Sequence, residues 1–334
     1  MPAPQRRDQR GSLWRRWDLH FHTPASFDYA DGSVTNNDIV AGLRAADVSV
    51  VAITDHHTID VDRFLDLRNL AGDNVTFLPG IELRCELGGR EAIHYIGIFP
   101  EAVEVRDLWA RLQGKLDITP SQVTSATDER VWVPYERGSR AIRELGGLVS
   151  IHAGKKTNSF ENIKNDPKFK QLVKSDILRE YVDILEVQSD GDCRGYLDIV
   201  FPSVGFRRPI VVGSDNHDIR NYTTKCPCWV RGDATFEALK HVCCEPDDRV
   251  FLGELPPMRE RVGKTRTRYI RSVVVRKRDD AKLSEKWFDC EVPLNHGLVA
   301  IIGNKGGGKS ALADIIGLLG RAIARRLRDG LRIA

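Results

Sequence analysis

The chain has 334 residues, which is enough for one large domain or for a large and a small one. A hydrophobic fraction of 41%, a charged fraction of 29% and a formal net charge of +3 are ordinary for a globular protein and give no overall drive towards nucleic acid. No apolar run is long enough to cross a membrane, and a charged start with an odd count of seven cysteines argues against a secreted, disulfide-linked protein, so we expect a cytoplasmic one.

Apolar, strand-like runs alternate with helix-like segments from residue 14 to about residue 247. The runs cover residues 17–21, 48–54, 75–81, 92–99, 147–151, 184–188 and 210–213. The helix-like segments cover residues 37–46, 59–70, 103–115, 135–145, 168–178 and 235–243. This alternation predicts βα units and a parallel arrangement of the strands. About seven such units favour a closed or distorted α/β barrel over an open sheet.

Histidine and acidic residues recur where these runs end. Seven of the nine histidines lie in five short clusters, and Glu82 ends a sixth run. The clusters are Asp18-Leu-His20-Phe-His22, Thr54-Asp55-His56-His57, His94 in His-Tyr-Ile-Gly-Ile-Phe, His152 in Val-Ser-Ile-His-Ala-Gly, and Ser214-Asp215-Asn-His217. Active-site residues of such barrels come from the carboxyl ends of the strands, so we expect these side chains at one edge.

This set of residues indicates a metal site. Histidine is the commonest metal ligand in proteins, and histidine combined with carboxylates suits zinc, manganese or iron. His20 and His22 are two residues apart on a strand, so their side chains point the same way and can share one ion. The alternative is that the histidines are structural and satisfied by hydrogen bonds, but six clusters in chain order favour the metal site.

Two further features lie beside the clusters. Residues 155–175 are polar and rich in turn formers. They are either a loop over the site, in which Lys155 and Lys156 meet a phosphate, or a plain solvated loop. Glu186 also ends a strand-like run, and we expect it either to support the site or to serve a structural role.

A second domain is predicted after a break in the pattern at residues 252–262, which divides the chain into domains of 1–255 and 256–334. Strand-like runs at 269–275 and 287–292 follow the break. A G-x₄-G-K-S motif then lies between an apolar, strand-like run at 298–302 and a helix-like stretch at 311–327. In this setting it predicts a phosphate-binding loop for ATP and Mg²⁺. The loop residues are Gly303, Asn304, Lys305, Gly306, Gly307, Gly308, Lys309 and Ser310.

Too short a stretch follows the loop to supply the acidic residues of a Walker B strand. We therefore expect weak nucleotide binding without ATP turnover, either because the chain is a fragment of a longer ATPase or because the lobe is a remnant. Arginine-rich stretches at 6–16, 259–278 and 321–332 are either phosphate-facing patches or solvated surface.

The histidine clusters resemble those of the PHP (polymerase and histidinol phosphatase) superfamily of metal-dependent phosphoesterases. Its Asp-x-His-x-His-[Ser/Thr] signature matches residues 18–23, and its Thr-Asp-His matches residues 54–56. The Gly-x-Glu turn, the two lone histidines and the closing Asp-x-His match residues 80–82, 94, 152 and 215–217. The likeness covers residues 14–250. With the glycine-rich loop attached, the chain further resembles PHP proteins fused to an AAA-like or SMC-like ATPase, of the TrlF type.

The resemblance implies a distorted (β/α)₇ barrel followed by the N-terminal part of a P-loop ATPase lobe, and two or three divalent metal ions. A first ion would be held by His20, His22, Glu82 and Asp215, and a second by Glu82 with His94 and His152. A third would be held by His56 and His217 with Asp28, for which Asp31 is the alternative. Asp18 and Asp55 are expected to orient ligands. The residues expected to act in catalysis are His20, His22, Glu82, His152 and Asp215.

We therefore expect metal-dependent hydrolysis of phosphate esters. The favoured reaction is that of a phosphodiesterase or nuclease acting on nucleic acid, coupled to an ATPase module, with a role in anti-phage defence. The alternatives are a phosphomonoesterase for a nucleotide or sugar phosphate, and a barrel kept as a scaffold. The expected partners are nucleic acid, a nucleotide, and a second copy of the chain or an additional ATPase segment or subunit, with no membrane.

Overall fold

The computed structural model describes residues 10–86, 92–123, 131–162, 176–280, 282 and 289–318. The described residues divide into two compact units, one within residues 12–256 and the other within residues 257–318 together with residues 10 and 11. Among the described residues, no helix is long and apolar enough to cross a membrane. Parts of several predicted segments lie outside the described residues, namely those at 6–16, 155–175, 168–178, 287–292, 311–327 and 321–332.

A mixed sheet of nine strands forms the first unit, and its first seven strands follow one another around a nearly closed barrel. The strands are β1 (Trp14–Phe21), β2 (Val48–Ile53), β3 (Thr76–Cys85), β4 (Ile93–Ile98), β5 (Leu148–His152), β6 (Ile184–Glu186), β7 (Ile210–Val211), β8 (Cys228–Arg231) and β9 (Val250–Leu252). The pairs β1–β2, β2–β3, β5–β6 and β6–β7 are parallel. β4 runs antiparallel to both of its neighbours.

The barrel closes at the end where the parallel strands finish. Backbone hydrogen bonds there join the end of β1 to the segment after β7. The N–H of Asp215 donates to the carbonyl of His20 at 2.9 Å, and the N–H of His22 donates to the carbonyl of Asn216 at 3.2 Å. The first half of β1 pairs instead with β8, which is antiparallel to it. β1 is therefore paired at both ends. At the edge where the parallel strands end, the segment that carries Asp215 closes the barrel.

Helices between the strands begin at local sequence signals. Thr35 and Asp38 cap one helix reciprocally, while Asp60 and Thr235 each accept an N–H of the first turn that they precede. The described α-helices of the first unit are Asn36–Ala45, Val61–Ala71, Val105–Leu116, Pro120–Val123, Tyr135–Glu144, Asp190–Gly195, Phe201–Val204, Phe236–Cys244 and Pro246–Arg249, with further helical residues at 176–180 and a π-helical turn at Tyr196–Val200.

An irregularity in β1 decides which of its side chains reach the site. Between Asp18 and Phe21 the strand has one more residue than the facing stretch of β2, so the register shifts there. Leu19 belongs to the apolar cluster shared by the barrel strands, whereas Phe21 belongs to the other cluster, which includes the helices around the barrel. Because an extra residue resets the side-chain alternation, His20 follows Leu19 on the inner face at the barrel edge.

The structure corrects the expectation that every strand of the barrel is parallel. Only residues 86–92 separate β3 from β4, which is too short a link for a parallel crossover, so the two strands pair antiparallel. β8 and β9, and the helical stretch at residues 190–204, have no counterpart among the predicted elements. Their sequences lack the long apolar periodicity that marks the other elements.

The second unit contains a two-stranded antiparallel sheet of β10 (Ser272–Val275) and β11 (Cys290–Pro293), which overlaps the two runs predicted there. Helix Pro257–Lys264 precedes it, and residues 309–318 are helical. The strand predicted at residues 298–302 is wrong: these residues form no strand, and Leu298 and Ile302 are 95% and 89% exposed. A strand forms only where a neighbour pairs with its backbone, and no described strand of this unit lies beside residues 298–302.

Candidate metal centre

The edge of the barrel at which the parallel strands end brings together the side chains predicted from the sequence. His20, His22, Glu82 and His152 are all buried there, with exposures of 2% or less. The ends of the parallel strands, the loops that follow them and the beginning of β4 supply the group, whose members are Asp28, His20, His22, His56, Glu82, His94, His152, Asp215 and His217. We call this set the barrel-edge cluster.

His94 reaches the cluster from the opposite chain direction. The sequence pattern placed it at the edge where the strands end, but it is the second residue of β4. Because β4 is antiparallel to β3 and β5, its beginning lies at the same edge as the ends of the parallel strands. His94 therefore lies at the predicted edge, but the expected parallel direction of its strand is wrong.

The first group of donors consists of His20, His22, Glu82 and Asp215. Nε2 of His20 lies 2.9 Å from Nε2 of His22, 3.1 Å from Oε2 of Glu82 and 3.3 Å from Oδ1 of Asp215. Nε2 of His22 lies 3.2 Å and 3.5 Å from the same two oxygens. Four donor atoms therefore surround one small volume, within 4.8 Å of one another. Mixed nitrogen and oxygen donors of this kind suit Zn²⁺, Mn²⁺ or Fe²⁺.

The second group uses the other oxygen of Glu82. Oε1 of Glu82 lies 2.8 Å from Nδ1 of His94 and 3.5 Å from Nε2 of His152. These three side chains again offer donor atoms within 4.8 Å of one another. Since Oε2 faces the first group and Oε1 faces the second, the carboxylate of Glu82 lies between two possible metal positions.

The third group lies on the far side of His22. Oδ2 of Asp28 is 3.3 Å from Nε2 of His56 and 3.2 Å from Nε2 of His217. The rings of His22 and His217 are stacked, with centroids 3.9 Å apart. Asp31 ion pairs with Arg220 instead. Of the two aspartates considered from the sequence, the structure therefore places Asp28 against the two histidines.

Main-chain carbonyls determine which ring nitrogen of two histidines carries the proton. Nδ1 of His152 lies 3.2 Å from the carbonyl of Thr157, and Nδ1 of His217 lies 3.0 Å from the carbonyl of Asp215. A carbonyl oxygen only accepts hydrogen bonds, so both rings must donate from Nδ1. In the neutral ring of His152 the lone pair is left on Nε2, which points into the cluster, whereas Nε2 of His217 faces the carboxylate of Asp28. Ligating histidines are held in this way when the second nitrogen is anchored.

The carboxylates of the cluster are held in their ionised form. Burial raises the pKa of Glu82, but His20, followed by His56 and His94, outweighs it and leaves that pKa well below its usual range. For Asp215, burial again raises the pKa, and the charge of His20 with neighbouring hydrogen bonds lowers it by more. The cluster thus presents two anions to any cation that binds there.

His152 supplies a separate indication that the residues fit a metal ion. Its Nε2 is buried and has no hydrogen-bond partner, since the nearest carboxylate oxygens, of Glu82 and Glu186, are 3.5 Å and 3.6 Å away. Burial, followed by the charge of Lys156, lowers the pKa of His152 to about 3, so the ring is neutral at neutral pH. A buried nitrogen lone pair without a partner is costly unless something binds it. A divalent cation would satisfy it.

Asp18 and Asp55, expected to orient ligands, accept hydrogen bonds from backbone N–H and hydroxyl groups around the cluster rather than from a ring. Asp18 accepts the N–H of His20 at 3.2 Å and the hydroxyl of Tyr222 at 2.9 Å. Asp55 accepts the Oγ–H of Ser26 at 3.2 Å, and Ser26 lies 2.8 Å from Nδ1 of His22. The contact from Asp55 to a ligand ring therefore passes through a serine that the sequence pattern did not single out.

Two residues that the sequence left undecided belong to the site. Both oxygens of Glu186 lie 3.0 Å from Nδ1 of His20, so Glu186 is the carboxylate that orients this ring. Lys156 is 9% exposed, and its Nζ lies 2.9 Å from Oε1 of Glu186 and 2.9 Å from Oδ2 of Asp215. The two neighbouring lysines expected to meet a phosphate therefore have different surroundings. Lys155 is exposed, whereas Lys156 contacts two carboxylates.

The glycine-rich loop of the second unit forms a compact turn. Gly306 and Gly308 have φ of 83° and 78°, values that favour glycine. Nζ of Lys309 donates to the carbonyls of Gly303 and Asn304 at 2.8 Å and 2.7 Å. The lysine that would contact phosphates thus lies across its own loop.

Comparison with known proteins gives distant structural likenesses. No protein-family model and no curated protein matches the chain. A crystal structure designated a metal-dependent phosphoesterase, from Bifidobacterium adolescentis, aligns with 14% identity and a TM-score of 0.44, covering 70% of this chain and 97% of that one. A two-domain protein from Bacteroides vulgatus containing a predicted PHP-like metal-dependent phosphoesterase aligns with 13% identity and a TM-score of 0.47, covering 83% and 78%. An amidohydrolase from Chromobacterium violaceum, solved with sulfate and no metal, aligns with 16% identity and a TM-score of 0.43, covering 72% and 92%. At such identities and TM-scores, the function has to be argued from the site itself.

Proposed function

We propose that this protein is a metal-dependent phosphoesterase of the PHP type that cleaves phosphodiesters of nucleic acid. The observation that carries the proposal is the position of Glu82, whose two carboxylate oxygens face two separate sets of histidine nitrogens. A shared carboxylate between close metal positions is the arrangement used to act on phosphate esters. Divalent ions held there would lower the pKa of a water molecule and offset charge on the phosphoryl group.

The residues of the chain have distinct parts in this proposal. His20, His22 and Asp215 would hold one ion, His94 and His152 a second, and Glu82 would bridge them. Asp28, His56 and His217 would hold a third. Glu186 accepts the Nδ1–H of His20 and so fixes the ring orientation, and an ion bound by this ring would take the place of a proton on Nε2.

The position of Phe27 favours a substrate that contains nucleobases. Its ring is 38% exposed and lies 5.1 Å from the ring of His56, tilted by 31°. The neighbouring residues in the chain, Ser26 and Asp28, both have side chains in contact with histidines of the cluster, so Phe27 is held at the rim of the site. Stacking of a base on an exposed aromatic ring contributes about 1–3 kcal/mol.

The charge of the second unit also favours a polyanionic substrate. Its stretch at residues 259–278 carries exposed arginines, namely Arg259, Arg261, Arg266, Arg268, Arg271, Arg276 and Arg278. Contacts between such side chains and phosphates release counterions, so binding should weaken steeply as salt concentration rises. We further propose that the loop at Gly303–Ser310 binds a nucleotide and that the phosphoesterase is coupled to an ATPase module in defence against foreign nucleic acid.

A substrate panel tests the proposal. Protein loaded with Mn²⁺ is incubated with labelled DNA, RNA, tRNA and mononucleotides, and both cut polymer and free phosphate are measured. We expect cutting of a polymer that disappears in His20→Ala and Asp215→Ala but persists in Arg106→Ala, which changes an exposed helix residue whose partner is Asp62. Release of phosphate from mononucleotides, with no polymer cut and little salt dependence, would replace the nuclease by a phosphomonoesterase.

Phe27 provides a second arm of the same experiment. Phe27→Ala should raise KM for nucleotide-containing substrates by roughly tenfold, the lower range expected for a lost stacking contact, whereas Phe27→Tyr should not. Hydrolysis of glycerophosphocholine, a phosphodiester with no aromatic ring to stack, should not respond to either change. An equal rise in KM for both substrates would show that Phe27 does not stack on a base.

A further inference from the structure

Lys156 occupies an unusual position for a lysine. It lies in the turn after β5, four residues beyond the end of that strand, and its ammonium group is enclosed between the carboxylates of Glu186 and Asp215 at 2.9 Å from each. Buried lysines are rare unless they are paired, and this one is paired twice. Its two partners are the carboxylate that orients His20 and a member of the first donor group.

The two oxygens of Asp215 have different surroundings. Oδ1 faces the ring nitrogens of His20 and His22 at 3.3 Å and 3.5 Å. Oδ2 accepts a hydrogen bond from Nζ of Lys156 at 2.9 Å. With Oδ2 engaged in this way, only Oδ1 is directed at the first metal position.

The backbone fixes both partners of this contact. Asp215 has a φ of 52°, and its N–H donates to the carbonyl of His20, so the direction of its side chain is set by the barrel edge. Gly154 begins the turn that carries Lys156 and has a φ of 69°. A Cβ at that position would lie 2.8 Å from the Cβ of Asp192. The contact is therefore built on two constrained backbone positions rather than on a mobile surface chain.

We propose that Lys156 is a positioning residue that keeps Asp215 monodentate and so leaves a coordination position of the first metal ion open for substrate. The proposal rests on the metal function proposed for the barrel-edge cluster. A carboxylate left free to rotate can bind a cation through both oxygens and fill that position. Lys156 also offsets the negative charges of Glu186 and Asp215, which face each other across it.

The charge state of Lys156 agrees with this role. Burial lowers its pKa, but the carboxylates of Glu186 and Asp215 raise it by more, so the pKa lies above its usual value. The ammonium group therefore keeps the protons that it donates to the two carboxylates at neutral pH.

Cobalt substitution tests the proposal without any substrate. Visible absorption of bound Co²⁺ weakens as coordination number rises, so it reports directly on whether a ligand has become bidentate. We expect Lys156→Met to bind the same number of Co²⁺ ions as wild type but with weaker visible bands, and Lys156→Arg to restore most of the intensity. Lys155→Met, which changes the exposed neighbour, should leave the spectrum unchanged.

Kinetics then distinguish positioning from substrate binding. With Mn²⁺, Lys156→Met should lower kcat by about 10–100-fold, the range for losing a group that supports a metal ligand, with KM little changed. An unchanged cobalt spectrum together with a raised KM would show that Lys156 binds phosphate, and would overturn the proposal. A lowered melting temperature of Lys156→Met with an unchanged cobalt spectrum would show that Lys156 has only a structural role, and would also overturn the proposal. If wild-type protein takes up no Co²⁺, the metal function itself fails, and this inference fails with it.

Discussion

Replacing Glu82 by glutamine should remove two metal ions at once. Oε2 of Glu82 lies 3.1–3.4 Å from ring nitrogens of His20, His22 and His56, and Oε1 lies 2.8 Å and 3.5 Å from those of His94 and His152. Glutamine has nearly the same shape, so the packing around residue 82 is retained. It loses the negative charge, and one of its two end atoms becomes an N–H donor that cannot bind a cation.

The size of the effect follows from the part that Glu82 plays in both donor groups. Side chains that only support a metal ligand change affinity by about 10–100-fold when removed. Glu82 is itself a donor to two groups, so we expect each affinity to fall by at least about 100-fold, or roughly 2.7 kcal/mol per ion. The third group, of Asp28, His56 and His217, keeps its own donors. Metal content should therefore fall by two ions.

Elemental analysis and competition with a chromogenic chelator measure this loss. Glu186→Gln is the matched control, since Glu186 is equally buried in the same edge but makes its shortest contacts with Nδ1 of His20 and Nζ of Lys156, with Nε2 of His152 farther away at 3.6 Å. It should weaken the first ion alone. Full metal content and unchanged affinity in Glu82→Gln, with the circular dichroism of a folded barrel, would refute the assignment of Glu82 as a bridging ligand.

Three further outcomes are expected. Gly80→Ala should destabilise the protein by about 1–3 kcal/mol, because a Cβ there would lie 2.8 Å and 2.9 Å from carbonyl oxygens of the strands on both sides; a melting temperature equal to that of wild type would contradict this. Ser26→Ala should weaken Mn²⁺ binding by about 10–100-fold, because Ser26 is the partner of His22 Nδ1, and unaltered affinity by titration calorimetry would remove that role. Glu186 has its pKa lowered from its usual 4.5 to about 2, since burial raises it but His20 and Lys156 lower it further. A carboxyl group with a depressed folded-state pKa contributes stability that is complete above the unfolded value and is lost as pH falls through the folded one. In chelator-treated protein, the free energy of unfolding of wild type, measured with urea, should therefore fall more steeply between about pH 4.5 and pH 2 than that of Glu186→Gln. An equal fall in both proteins would contradict the link between the ionisation of Glu186 and stability.

Local sequence was sufficient for the chemistry of the donor set. The spacing of His20 and His22, and the acids and histidines that close the other runs, predicted a mixed nitrogen and oxygen site at one edge of a barrel. Ligand type and strand-end position are properties of a few consecutive residues, so they can be read without knowing how the chain folds. The same holds for the helices Asn36–Ala45 and Phe236–Cys244, predicted at 37–46 and 235–243, whose capping residues Thr35 and Thr235 bond to groups within one turn.

Tertiary structure decided how those residues meet. The direction of β4, and hence the way His94 enters the site, depends on strand pairing across residues 86–92. Glu186 and Lys156 join the cluster through hydrogen bonds to residues 166 and 59 positions away in the chain, which no local pattern encodes. The apolar run at 298–302 shows the converse, since a strand-like sequence forms no strand without a partner to pair with. Pairing and burial are set by distant residues, and so only the folded chain shows which oxygen of Asp215 is left to face a metal ion.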